Sequence, residues 1–506
     1  MLSALVWIPI LGAIAIALLP LDWDVKRYRQ IAITIATILC VWTLVLGFNF
    51  NPDQGSMQFV ERIDWLPSLG INYHLGLDGL SLPLIVLNSF LTLVAIYSTN
   101  EKIQRSRFYF ALMLFLSGGV AGAFLAQDLL LFFLFYELEV IPLYFLIAIW
   151  GGGRRGYAAM KFLIYTALSG FLVLASFLGI VWFSHATSFD YEPLRSSALP
   201  LNLQFWLLGM LLVGLFIKIP IFPFHTWLPD AHVEASTPVS VLLAGVLLKL
   251  GTYGLLRFGV GLFREAWIVF APWLAYLAAI SALYGAFTAI AQQDMKKVVA
   301  YSSIAHMAYI LLAAAATTPL SLIAAVFQMI SHALISALLF LLVGVVYKKT
   351  GTRDVKVLRG LLNPERGLPV VGSLTILGVM ASAGIPGMIG FIAEFLVFRG
   401  SFPLFPIATL LCMIGTGLTA VYFLLMVNNV FFGRLSEPLS QLPQVQWSER
   451  IPAIALAVLI VVLGLQPGWI SRWSEVDTAT LIVDPSLRIS IPAVDLAQPN
   501  KIRPID

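Results

Sequence analysis

Two lysines, each set in an apolar run and separated by a proline-rich segment, constrain this chain more than any other feature. The stretch from Trp206 to Gly254 reads WLLGMLLVGLFIKIPIFPFHTWLPDAHVEASTPVSVLLAGVLLKLGTYG. Lys218 and Lys249 sit in the two apolar runs. Between them lie Pro220, Pro223, His225, Pro229, Asp230, His232, Glu234 and Pro238. A lysine near the middle of a membrane span costs roughly 2.5 to 3.5 kcal/mol on insertion scales. Two of them so close together imply a use. Pro220 interrupts the helix that carries Lys218. Broken helices at membrane depth are tolerated where they line a polar cavity. The stretch therefore predicts a proton or cation path through a polytopic membrane protein.

Composition supports that class. Charged residues make up 11% of the 506 and hydrophobic residues 60%, whereas ordinary soluble domains are about 25% charged. The formal charge of +4 is spread over the chain with no basic block, so nucleic acid is not indicated. Cys40 and Cys412 both lie in apolar runs and form neither a disulfide framework nor a metal site. The first apolar stretch has no basic segment before it, so it is expected to be a span and not a cleavable signal.

Apolar runs of membrane-crossing length recur about fourteen times, near 2–20, 30–50, 77–99, 108–126, 128–150, 160–183, 203–224, 238–259, 266–290, 297–316, 320–346, 369–396, 403–432 and 450–470. None alternates with a period of two, which predicts an all-α bundle and not a barrel. The loops after odd-numbered spans hold eighteen Lys or Arg, and those after even-numbered spans hold five, Arg62, Arg195, Arg257, Arg264 and Arg399. By that asymmetry the odd loops face the cytoplasm and both termini lie on the opposite side. The segment from Ser471 to Asp506 is polar, with Arg472, Arg488, Lys501 and Arg503, and reads as an exposed arm or partner contact. Lys161 sits at the start of its span and can snorkel to the interface.

Intramembrane acids are few. Glu137 and Glu139 are two residues apart, about 200° on a helix, so at most one faces a given partner. Glu394 follows a second breaker, SAGIPGMIG, which contains Pro386. The two breakers fall in spans 7 and 12, five apart. That spacing predicts two inverted five-helix repeats, each with a broken helix and an ionisable group. The domains follow as 1–107, 108–259, 260–432 and 433–506. His306 and His332 lie inside spans of the second repeat and can carry protons near neutral pH.

Plainer roles stand beside these. Lys218 and Lys249 can be snorkelling residues, Glu137 and Glu394 buried acids held by neighbours, and His306 and His332 packing histidines. For Glu139 the structural role is favoured. His225 and His232 are seven apart, but Pro229 intervenes, so an entrance or structural role is the safer reading. GGGRRG at 151–156 lacks the Lys-Ser/Thr ending of a phosphate loop and reads as a turn. No nucleotide, haem or cluster motif is visible. Moving one charge against 100 mV takes roughly 2.3 kcal/mol, so the chain needs a partner or another ion gradient to drive it.

The motifs LGLDGLSLPLIVL, YELEVIPLYFLIAIWGG, KIPIFPFHTWLPDAHVEASTPVSVLLAGVLLKLGTYGLLRF, KKVVAYSSIAHMAYILL, QMISHALISALLF and GIPGMIGFIAEF resemble the antiporter-like membrane subunits of complex I. The likeness is strongest to the chain 4 (D-type) subunits of NAD(P)H:quinone oxidoreductase, over roughly residues 75–435. The resemblance implies a proton-translocating role for Glu137, Lys218, Lys249, His306, His332 and Glu394. Spacing to Pro142 selects Glu137 over Glu139 as the family's span-5 glutamate. It implies that Glu137 pairs with Lys218, and that Pro220 and Pro386 mark flexible breaks. Tyr136 stands where many relatives have Trp.

No cofactor or metal is expected in this chain. Iron–sulfur clusters and quinone belong to partner subunits. The expected partners are sister antiporter-like subunits, small membrane subunits, a peripheral electron-transfer arm and lipids. YELE and IWGG resemble cyanobacterial and plastid versions, which implies a thylakoid (or plasma) membrane, ferredoxin or NAD(P)H as donor and plastoquinone as acceptor. HVEASTPVS resembles the variant of carbon dioxide uptake complexes. The alternatives are a subunit of a multisubunit Na+/H+ antiporter and a structural spacer in a membrane arm.

Overall fold

A computed structural model describes residues 1–482 apart from 22, 101, 196–198, 436–438 and 440–441. Arg488, Lys501 and Arg503 lie outside the described residues. The described chain is almost entirely helical: α1 Ser3–Leu18, α2 Val25–Asn49, α3 Leu82–Tyr97, α4 Ser106–Leu125, α5 Leu129–Leu138, α6 Val140–Trp150, α7 Arg155–Ser184, α8 Tyr191–Arg195, α9 Leu201–Lys218, α10 Trp227–Glu234, α11 Thr237–Leu242, α12 Leu248–Gly254, α13 Arg264–Ile290, α14 Met295–Ala316, α15 Pro319–Thr350, α16 Pro369–Ser382, α17 Ile389–Ser401, α18 Pro406–Phe431, α19 Trp447–Leu465 and α20 Gly468–Thr480. Among the described residues, eleven helical segments are long and apolar enough to cross a membrane, counting α5 with α6 as one and 237–260 as one. Three shorter apolar helices, α1, α3 and α16, fall where the sequence places the other three spans.

Burial sorts these helices into layers. The window of 237–260 is wholly buried and those of α14 and α15 are 94% buried, whereas those of α2 and α19 are 33% buried. A helix apolar all round belongs in a bundle centre or in lipid. Here α14, α15 and 237–260 form the centre, and the less buried helices ring them.

Local signals set the ends. Asp128 caps α5 by accepting from Leu131 N at 2.9 Å, and Asp294 caps α14 by accepting from Lys296 N at 2.7 Å. Thr318 and Ser321 form a reciprocal cap at the start of α15, with Pro319 in the first turn. The two aspartate caps sit in matching brackets. Asp128 bridges Asp190, and Asp294 bridges Asp354. Tyr191 N donates to Gln127 O at 2.8 Å, and Val355 N donates to Gln293 O at 2.8 Å. The same bracket thus occurs at spans 5 and 10, five apart.

Four features differ from the sequence reading. First, residues 58–77 form an antiparallel hairpin, β1 Gln58–Leu66 and β2 Ile71–Leu77. Second, residues 471–480 are not an exposed arm. They belong to α20, whose Ile470, Ser474, Asp477 and Thr478 are buried. Its Asp477 Oδ2 accepts from Gly79 N at 2.5 Å. Third, Arg257 is not a loop residue. It is buried in a π-helical turn, Leu255–Val260, paired with Asp78 at 2.5 Å. A full ion pair lets an arginine sit there at tolerable cost. Fourth, Lys161, partly exposed near the start of α7 where the sequence puts it, also has a partner the sequence did not show, Asp230 at 2.8 Å.

Candidate functional site

Both predicted helix breaks are present. α9 ends at Lys218, and the chain turns through 219–226 before α10. The carbonyls freed by the break find partners: Trp227 Nε1 donates to Ile217 O at 2.8 Å and Ile221 N to Phe216 O at 3.0 Å. In span 12, α16 ends at Ser382 and α17 begins at Ile389. Gly384 and Gly387, at φ +71° and +91°, make the turn between them. A further interruption was not legible. Residues 243–247 and 255–260 are π-helical, flanking α12 and its Lys249. Such turns are rare and favour functional positions.

Lys218 is fully buried, and its ammonium pairs with the Glu139 carboxylate. This corrects the expected pairing with Glu137. Pro142 cannot bond back to the carbonyl four residues earlier, so the helix is interrupted at Glu139, between α5 and α6. That re-aims Glu139 toward Lys218. Glu137 is only half-buried and packs beside Gly170 of α7. Its Oε1 has no hydrogen-bond partner, yet it lies within electrostatic range of Lys218. Tyr136, noted in the sequence only as a departure, carries the ammonium over its ring at 4.1 Å. Its hydroxyl is 2.9 Å from Ser169 Oγ, which donates to Gly214 O at 2.7 Å.

Gly251 lets the end of α9 approach α12. A Cβ there would lie 3.3 Å from Lys218 Cβ. Two residues earlier on α12, Lys249 Nζ donates to Ala244 O at 2.6 Å and lies 2.7 Å from His332 Nδ1. His332 and His306 have ring centroids 5.9 Å apart. His306 Nε2 is 3.5 Å from Glu394 Oε1, within ion-pair range but not aligned as a hydrogen bond. A narrow polar cavity lined by Ser302, Gln328, Ser331 and Ser336 joins His306, His332 and Glu394. Lys249, His332, His306 and Glu394 thus form one run that starts on α12 and continues through residues 306–394. His332 Nε2, His306 Nε2, Gln328 Oε1 and Glu139 Oε2 are buried without a protein hydrogen-bond partner.

The secondary candidates separate. Pro229 falls in the first turn of α10, where it is tolerated, and does not break the helix. His232 is fully buried on α10, stacked on Phe340 at 4.4 Å, with both ring nitrogens unpartnered. It lies within electrostatic range of Lys249 and Lys296. Lys296, counted as a loop residue from sequence, is buried and donates to Ala235 O at 2.6 Å. His225 sits in the turn after α9, with Nε2 3.2 Å from the Tyr284 hydroxyl.

The sequence profile of a family described as "NADH:quinone oxidoreductase/Mrp antiporter, TM" matches residues 126–419. The chain belongs to this family. All six primary candidates, Glu137, Lys218, Lys249, His306, His332 and Glu394, fall inside the matched segment of the quinone oxidoreductase/antiporter family. The chain is 40% identical to "NAD(P)H-quinone oxidoreductase chain 4 1" of Synechococcus sp. (strain JA-3-3Ab), covering 98% of this chain and 95% of that one. Its fold matches a chain of respiratory complex I from Thermus thermophilus with a TM-score of 0.87 at 27% identity, over 96% and 100% of the two chains. A chain of the Mrp complex from Dietzia sp. DQ12-45-1b shares the fold, with a TM-score of 0.86 at 21% identity over 95% and 97%.

Proposed function

We propose that this chain is a proton-translocating membrane-arm subunit of a quinone oxidoreductase complex. The carrying observation is the run Lys249–His332–His306–Glu394, reached from a buried Lys218–Glu139 pair. The chain-4 relatives, named as NAD(P)H-quinone oxidoreductase chains, support NAD(P)H as donor and a quinone as acceptor, and the reading of ferredoxin and plastoquinone rests on YELE and IWGG. Redox cofactors reside in partner subunits and supply the driving energy. The location is a thylakoid membrane of cyanobacterial type, with odd loops cytoplasmic and both termini lumenal. The fourteen helical segments are spans. Spans 4–8 and 9–13 are the two inverted repeats, supported by the matching Asp128 and Asp294 brackets. The carbon dioxide uptake variant rests on HVEASTPVS alone.

In the mechanism, the Glu139 carboxylate and the Tyr136 ring bind the Lys218 ammonium, with Glu137 within electrostatic range. At about 4 Å and an effective dielectric of about 20, an ion pair is worth roughly 4 kcal/mol. Motion transmitted from a neighbouring subunit separates Glu139 from Lys218. Lys218 then gives its proton toward Lys249. Buried polar atoms without protein partners are the places where water completes hydrogen bonds. Those on Glu139, His332, His306 and Gln328 lie along this path. His332 and His306 pass the proton to Glu394, beside the second break. His232 and Lys296 form a cytoplasmic-side branch that reloads Lys249.

The test is extraction of the native membrane with a mild detergent, followed by mass spectrometry of what co-purifies with this chain. Iron–sulfur and quinone-site subunits are expected, and a carbonic-anhydrase-like partner would mark the uptake variant. Small antiporter subunits with no redox chain would overturn the reading.

A further inference from the structure

The proton run leaves one built cleft unused. It lies at the end of α18 and has a volume of about 390 Å³. It is lined by Lys356, Leu358 and Arg359 from the segment between α15 and α16 and by Asn428, Asn429 and Phe432 from the end of α18. The walls are stitched by backbone hydrogen bonds. Gly360 N donates to Phe432 O at 3.1 Å, Leu361 N to Val430 O at 3.2 Å and Leu362 N to Phe431 O at 2.9 Å. The Arg359 side chain lies across Gly433, whose φ is +88° and where a Cβ would come 3.0 Å from Arg359 Nε. Any other residue at 433 would displace the guanidinium.

The charges of this loop divide in two. Lys348 and Lys349 both pair with Glu449, at 2.8 Å each, and Arg353 pairs with Asp294 at 3.3 Å. Among the described residues, the Lys356 ammonium and the Arg359 guanidinium form no ion pair within 4.0 Å, and the nearby Asp354 carboxylate accepts from Lys356 N at 2.9 Å. Two cations without a side-chain ion pair and two exposed side-chain amides therefore converge on one concavity. Val357 and Phe432 beside it are 56% and 47% exposed, an apolar flank at the end of a membrane-length helix. Basic pockets at the cytoplasmic ends of membrane helices suit anionic head groups. Guanidinium and ammonium donors match phosphate oxygens.

We propose that this cleft binds a phosphate-bearing anion, supplied by the head group of an anionic membrane lipid. Its cytoplasmic placement rests on the orientation proposed above. Occupancy fixes the end of α18. The middle of that helix borders the proton run, where Thr416 Oγ1 donates to the Tyr309 hydroxyl at 3.2 Å.

The experiment uses the whole complex purified through this chain, stripped of loosely held lipid and placed in nanodiscs of phosphatidylglycerol or phosphatidylcholine. Native mass spectrometry then counts retained lipid. Wild type is expected to retain phosphatidylglycerol, and the double variant Lys356→Gln/Arg359→Gln to lose it at least tenfold. Lys102→Gln, an exposed cation elsewhere, should change nothing. Displacement by millimolar inorganic phosphate would support the same chemistry with a soluble source. Equal retention by the double variant, or equal retention of phosphatidylcholine, overturns the proposal. If the double variant does not assemble, Asn428→Asp places a carboxylate in the cleft and should give the same loss. Co-purification of redox subunits is read in the same sample, so failure of the lipid site and failure of the proposed function are distinguishable.

Discussion

The two buried lysines of the first repeat are held differently. At the break after α9, Lys218 meets a carboxylate, Glu139, and the face of Tyr136. On α12, facing the second repeat, Lys249 meets a carbonyl and a histidine ring, with no carboxylate hydrogen-bonded to it. A buried ammonium beside a carboxylate is held in its charged form. One beside an imidazole shares its proton with a group that can pass it on. The difference gives the two lysines different tasks: Lys218 stores a proton until its pair is separated, and Lys249 conducts it into the second repeat. Geometry agrees, since Lys218 has one close pair and Lys249 opens a run of four groups ending at a helix break.

The comparison breaks most readily at Glu139. Removing one partner of a buried ion pair costs about 3 to 5 kcal/mol. Glu139→Gln is therefore expected to lower proton pumping by a hundredfold or more in sealed vesicles. Glu137→Gln, which removes charge at longer range, should cost less than tenfold. The reverse order would return the pair to Glu137.

In the second half, His332→Gln removes a proton carrier and leaves Lys249 on its carbonyl. Loss of a positioned acid–base group costs typically a hundredfold or more. Pumping should fall about that far with assembly intact. A variant that pumps normally would show that the run bypasses His332.

A smaller effect is expected at Gly384. A side chain at its φ of +71° is strained, and a Cβ would come 3.1 Å from Glu394 Oε2. The left-handed strain alone costs roughly 1 to 2 kcal/mol. Gly384→Ala should lower the Tm of the complex by a few degrees and pumping by less than tenfold. Gly417→Ala, where a Cβ meets no heavy atom within 4 Å, should do neither.

The smallest effect lies outside both halves, at α20. Burial first, then the nearby charge of Asp78, push the Asp477 carboxyl from its ordinary 3.8 up to about 7. Docking thus favours the protonated form. Its contribution is fully present below about pH 4 and is lost as pH rises through about 7. Hydrogen exchange of α20, corrected for intrinsic rates, should show protection declining over that window. Asp477→Asn should flatten the profile. A wild-type profile already flat would mean that Asp477 does not govern docking.

The spans were legible because apolar runs and loop charges carry over long windows. Both breaks were legible because Pro220, and Pro386 with Gly384 and Gly387, stand inside apolar stretches. The ion-pair partner was not. Choosing between Glu137 and Glu139 needs the backbone angle that Pro142 imposes two to four residues upstream. The π-helical turns around Lys249 left no sequence signal, since LAGVL and LLRFGV are ordinary helical composition. Arg257 was misplaced because its partner Asp78 is 179 residues away. α20 was missed because a helix with few apolar positions reads as polar until the surface it covers is known.

The measurement that bears most directly on the storage-and-conduction division is proton translocation by the complex carrying Lys218→Met. Vesicles are driven by the donor, with quinone reduction and subunit content measured on the same preparation. The account predicts that pumping through this subunit is abolished while the complex assembles at its normal level. Wild-type pumping per quinone reduced, at normal assembly, would contradict it.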